Sequence, residues 1–111
     1  MNSLDKLIQA IQQRKIIEFE YNKPGKTLGK RIGEPYAIFI LTSKEGKIST
    51  KVHVVQIEGV SDSKDINPFP EFRMFNIEEL SNVNITDKTF TELNPKYNPE
   101  WEGYKDVIEK I

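Results

Sequence analysis

The feature that most constrains this chain is a change of hydrophobic period at Lys15. Before it, Leu4, Leu7, Ile8 and Ile11 recur at helical spacing, with Asn2 or Ser3 available as an N-cap. Asp5 falls in the first turn, where a carboxylate meets the positive end of the helix dipole. This predicts one amphipathic helix of about three turns. From Lys15 to Tyr21 the period becomes two: Ile17, Phe19 and Tyr21 share one face, and Ile16, Glu18 and Glu20 the other, as a half-buried strand requires.

The remaining chain reads as short strands and turns. Residues 22–30 (NKPGKTLGK) hold Pro24, Gly25 and Gly29 and predict an exposed loop. A second strand is expected over 31–42, with Pro35 marking an edge or bend near its start. Residues 44–47 (KEGK) form a hairpin connection with Gly46 at positive φ, leading into a third strand over 48–57. A polar loop over 58–70 leads to a fourth strand over 72–76. Residues 77–81 suit one helical turn, and Val83 with Ile85 marks a fifth short strand. After Phe90, Asn94-Pro95 and Asn98-Pro99 break regular structure while Tyr97, Trp101 and Tyr104 supply large apolar surfaces. The expected organisation is therefore mostly β: residues 1–90 form a small bent antiparallel sheet or barrel of about five strands carrying an N-terminal helix. Residues 91–111 form a C-terminal extension strapped over it, with a final helical turn. The expected core comprises Leu7, Ile11, Ile17, Phe19, Ile38, Ile40, Val54, Phe75 and Ile85.

Composition narrows the function. The 111 residues fit one compact core. Without cysteine and with His53 as the single histidine, neither a disulfide framework nor a structural zinc site is expected, and no cofactor is called for. The N-terminus lacks the pattern of a secretion signal and no long apolar run follows, so a cytoplasmic, non-membrane protein is expected. The formal net charge of −1 hides an asymmetry: residues 14–51 carry a balance of +5 and residues 52–111 one of −6. A basic half can attract phosphates or acidic partners, although folding can equally spread these charges over a mixed surface.

Motifs for catalysis are lacking. Gly25-Lys26-Thr27 looks like the end of a phosphate-binding loop, but Glu20 stands where the earlier glycine is required and no helix starts at the lysine. Glu18 and Glu20 share a strand face, at a spacing that could suit paired carboxylates, yet two charges on an outer face are the simpler reading. His53 has neither a cysteine nucleophile nor a serine elbow to join. Arg73, set among Phe72, Met74 and Phe75, must find an acceptor: either Glu71 or Glu78 pairs with it, or its guanidinium faces an anionic or nucleobase-like ligand. The aromatic residues could also form a stacking platform for single-stranded nucleic acid, although most must fill the core; Tyr21 and Tyr36 are the ones expected to show a hydroxyl at the surface.

The order of pieces resembles a WYL domain of the short stand-alone kind: a short helix, IIEFEY, a basic loop into GEPYAI, KVHVVQIEG, and FRMFNIEELSNVNITDKTF. The likeness covers roughly residues 4–90, and its most specific part is the Arg-x-Phe strand followed by Ile-x-x-Leu. It implies an Sm-like or SH3-like barrel acting as a regulatory ligand-binding module, often bacterial or phage-related. It also implies a site that combines basic and aromatic residues around a negatively charged ligand or nucleic acid. Carried onto this sequence, the resemblance implicates Tyr21, Tyr36, His53, Gln56 and Arg73. Two departures stand out: the Trp-Tyr-Leu tripeptide is replaced by Lys51, Val52 and His53, and Asn76 occupies the place of a second arginine.

The expectation is thus a non-enzymatic ligand-binding regulatory domain sensing a small anionic or nucleotide-like ligand. One alternative is an Sm-like nucleic-acid-binding module using Lys23, Lys26, Lys30 and Arg31, whose binding would weaken with salt. The other is a degenerate domain for protein interaction or homo-oligomerisation.

Overall fold

The computed structural model describes residues 2–61 and 68–111. The predicted helix is α1 (Ser3–Gln13). Asn2, not Ser3, caps it by accepting from the Asp5 amide at 2.8 Å, and Arg14 ends it in the left-handed conformation at φ 55°. One residue later β1 (Lys15–Tyr21) begins, as the change of period requires. Then follow β2 (Lys30–Thr42), β3 (Ile48–Gly59), β4 (Glu71–Asn76), β5 (Leu80–Thr89) and β6 (Val107–Lys110). A 3-10 turn, Ile77–Glu79, joins β4 to β5, and a second, Glu102–Tyr104, precedes β6.

The strands form one antiparallel sheet in the order β4-β3-β2-β1-β5, with β6 added beside β2. Among the described residues β4 and β5 are not joined, so the sheet stays open instead of closing into a barrel. β2 is long enough to serve two neighbours along one edge: residues 30–33 pair with β1, and residues 37–39 pair with β6. Its register against β3 slips twice, once between Ile32 and Gly33 and again beside Pro35, where Pro35 faces Val54 while Ala37 faces His53. The extra residue, Tyr36, is a β-bulge, placed beside a proline that has no amide to offer the ladder. The slip turns Tyr36 to the same side as Ala37 and Phe39 while Ile38 stays on the other.

Each face of the sheet carries its own layer. On one face, Leu7, Ala10 and Ile11 of α1 pack on Ile17, Phe19, Ile38, Val52, Val54 and Phe75. On the other, Ile16, Tyr36, Val55 and Phe90 form a second core, continued by Ala37, Phe39 and Tyr104. Two glycines permit this close packing. A Cβ on Gly33 would lie 2.5 Å from the Val54 side chain, and on Gly59, which adopts φ +99°, a Cβ would collide with the backbone of Lys30 and Arg31.

Several expectations change. The C-terminal extension does not end in a helical turn; it ends in β6, and it belongs to the same globule as residues 1–90 because it supplies both a strand and the cover of the second core. β3 runs on to Gly59, two residues past its expected end, and β5 is ten residues long. Of the expected core, Ile40 and Ile85 are only half-buried. Ile85 faces the α1-side core with Val83, opposite Ile17, but lies on β5, the end strand of the sheet among the described residues, so one flank stays open. The centre of the polar loop expected over 58–70, residues 62–67, lies outside the described residues.

Candidate functional site

The five residues singled out for a ligand site do not converge. Tyr21, Gln56 and Arg73 belong to the face that carries α1, whereas Tyr36 and His53 lie on the opposite face under the C-terminal extension. Strand parity causes the split: His53 and Val55 point one way, Val54 and Gln56 the other.

On the α1 face, the polar end of the core is built around Phe75. Tyr21 meets it edge-on at 4.7 Å, and the guanidinium groups of Arg31 and Arg73 stand 5.6 Å and 6.0 Å from its ring centre. Arg31 is fully buried, a correction to its placement with the exposed lysines. Its Nη1 donates to Gln56 Oε1 at 3.2 Å and its Nη2 to the Thr27 carbonyl at 3.3 Å. Gln56, also fully buried, turns its amide nitrogen to the carbonyls of Glu58 and Val60 at 3.0 and 2.6 Å. Gln56 is therefore spent on joining β2 to the end of β3. Arg73 pairs with Glu71 at 2.8 Å, the first of the two options left open by the sequence, and Ser61 donates to the same carboxylate at 3.2 Å.

The opposite face offers a concave site. Trp101, Phe72, His53 and Tyr104 line a pocket of about 230 Å³, with Lys96 and Asn98 as its other lining residues. His53 sits among the rings: its centroid lies 5.1 Å from Phe72, 5.4 Å from Trp101 and 4.7 Å from Phe39, and its Nδ1 is 2.6 Å from the Tyr104 hydroxyl. Burial pushes the imidazole down from 6.5 to about 4, so it is neutral near pH 7, and burial pushes the Tyr104 phenol upward, so that hydroxyl stays protonated. Trp101 is held edge-on to Phe39 and Tyr104, and its ring lies so close to Gly103 that a Cβ there would collide with it. The residue is nevertheless 38% exposed, and it is one of the pocket's lining residues. Walls that are mostly aromatic, with a few polar groups at set positions, are what small-ligand sites share.

The expected surface hydroxyl of Tyr36 is absent. Its ring is fully buried, stacked on Phe90 at 5.6 Å, and its oxygen accepts from the Asn94 amide at 2.8 Å and donates to Glu34 at 3.2 Å. Burial raises Tyr36 to about 12 and also lifts Glu34 above the usual carboxylate value. Tyr21 is likewise buried.

Lys23 and Lys26 stay exposed on the loop before β2, and Lys30 is exposed at its first residue. Glu18 and Glu20 act separately: Glu18 lies 3.8 Å from Lys30, and Glu20 accepts from Asn82. Among the described residues no group of three His, Cys, Asp or Glu stands close enough to hold a metal ion, and no helix is long and apolar enough to cross a membrane. No family model matches the chain, and no curated protein matches it.

Of the pocket residues, the sequence singled out only His53 for a site. Trp101 and Tyr104 were legible as apolar anchors of the tail and Phe72 as an aromatic neighbour of Arg73, but Lys96 and Asn98 carry no local signal. They meet only because residues 90–106 fold back across β2 and β3.

Proposed function

We propose that this chain is a non-enzymatic, WYL-like binding domain that takes a small ligand with a flat ring and an anionic group in the pocket beside His53. The observation that carries the reading is the convergence of Trp101, Phe72 and His53 with Lys96 on one cavity of about 230 Å³. A nucleobase or similar ring gains stacking on Trp101, worth about 1–3 kcal/mol in comparable aromatic sites, and the Lys96 ammonium attracts a phosphate or carboxylate. A neutral His53 keeps the inner wall apolar, and its ring nitrogens leave room for one directed hydrogen bond. Nothing in the arrangement supplies an activated nucleophile, which favours binding over catalysis. Kinship with the WYL family rests on the order of sequence pieces described above. The pocket replaces Arg73 and Gln56 as the expected ligand contacts, while His53 keeps its place.

Trp101 is the single tryptophan, so its emission reports on the pocket directly. Titration with nucleoside monophosphates should give a saturable change in that emission. The uncharged nucleoside should bind more weakly, and inorganic phosphate alone should leave the emission unchanged. Lys96→Ala should weaken binding of the charged ligand, and Gly103→Ala, which displaces the Trp101 ring, should abolish the signal while the fold persists. If neither mononucleotides nor short oligonucleotides alter the emission at millimolar concentration, the reading fails.

A further inference from the structure

The second face of the sheet is covered only in part. Beyond Tyr36 the extension leaves an apolar trough whose two halves, about 290 and 430 Å³, share Ile57. The smaller half has a floor of Ile16, Ile32 and Ile57 and a rim that includes Glu18, Glu58 and Asp87. The larger half adds Glu34 and Glu92. Lys88 is the one cation among the described residues lining either half, and Lys30 offsets Glu18 from outside. An apolar floor inside an acidic rim calls for an apolar side chain carried on a basic segment.

The chain itself carries such a segment. In the loop over residues 22–30, Leu28 is 71% exposed, and Lys23, Lys26 and Lys30 around it are exposed as well. The base of this loop stands at the lip of the trough, where Lys30 meets Glu18 at 3.8 Å. A leucine so exposed and flanked by lysines suits an acid-rimmed trough that none of the described residues fills, so a second copy can supply its counterpart.

We propose that the trough receives the Leu28 loop of a second copy of this chain, giving a reciprocal dimer. A two-fold arrangement that seats each loop in the partner's trough closes the contact without propagating into a fibre. Leu28 enters between Ile16, Ile32 and Ile57, while Lys26 and Lys23 face Glu58 and Asp87. The contact is small, so the dimer is weak and its charges make it sensitive to salt. The half of the trough that receives Leu28 shares no lining residue with the ligand pocket.

Sedimentation velocity on the full chain, from low micromolar to near-millimolar concentration, tests this. At low salt a monomer–dimer equilibrium is expected, shifting to monomer as salt rises. Leu28→Asp and Glu58→Lys alter exposed side chains, so they should leave the melting temperature near that of the parent. Each should raise the dissociation constant by about tenfold or more, the scale of losing one buried leucyl side chain per loop. Mixing Lys26→Glu with Glu58→Lys should restore association between the two variants. A chain that stays monomeric throughout at low salt overturns the proposal, as does a dimer indifferent to salt and to both substitutions.

Discussion

His53 makes the sharpest test of the second core, because its protonation reports whether the aromatic cluster is packed as described. In the fold its imidazole is held down to about 4 by burial, against an ordinary value of 6.5. The sign follows from which state takes the proton first. As pH falls below 6.5 the unfolded chain protonates His53 while the folded chain resists. The stability due to the neutral ring is therefore complete above about 6.5 and is lost progressively as pH falls to about 4. At about 1.36 kcal/mol per pH unit of difference the full effect is bounded at about 3 kcal/mol. The ring is only part-buried, so solvent screening reduces this to about 1–2 kcal/mol. That corresponds to a fall in melting temperature of about 4–8 °C for a chain of this size. Glu34, raised by burial, works with the opposite sign. The assay is therefore the difference in unfolding free energy between the parent and His53→Phe, measured by urea denaturation at steps from pH 7.5 to 3.5. Groups common to both proteins cancel in that difference. The parent should lose stability relative to the variant across this window, with the His53 ring protons titrating near 4 by NMR. A flat difference curve, or a His53 ring that titrates near 6.5, would refute the packed cluster.

Two further outcomes follow from the geometry. Gln56→Ala should destabilise the fold by about 1–3 kcal/mol, because it strips a buried guanidinium of an acceptor, whereas Arg73→Ala should cost about 1 kcal/mol or less, since the Arg73–Glu71 pair is partly solvated; chemical denaturation of the two variants ranks them. Truncation after Phe90 removes β6 and uncovers Tyr36 and Phe39, both fully buried in the intact chain, so the shortened protein should melt markedly lower or expose apolar surface to a dye such as ANS.

The helix, the change to strands at Lys15, the hairpin at Gly46 and the apolar face of Ile17, Phe19 and Tyr21 were legible in the chain because each depends on contacts between residues close in sequence or on strict alternation. The same holds for the tail: Asn-Pro breaks and large aromatic residues announce a strap that must bury them. Arg73 was legible to the extent that an arginine among apolar neighbours must find a carboxylate, and Glu71 provides it two residues away.

What alternation could not supply was the register. The slip at Tyr36 sends a tyrosine expected at the surface into the core, and Ile85 stays half-buried because β5 is the end strand of the sheet among the described residues. A bulge reverses the facing of every residue beyond it and leaves little local mark. Arg31 looked like a fourth cation of the basic loop and proved to be a buried strut, since its role depends on Gln56, twenty-five residues away. β6 was missed for a related reason: a four-residue strand becomes a strand only where a free stretch of β2 accepts it. The pocket is the extreme case. His53 and Phe72 come from two neighbouring strands and Lys96, Asn98, Trp101 and Tyr104 from the strap, so their meeting is a property of the chain path and of burial, which only the tertiary structure decides.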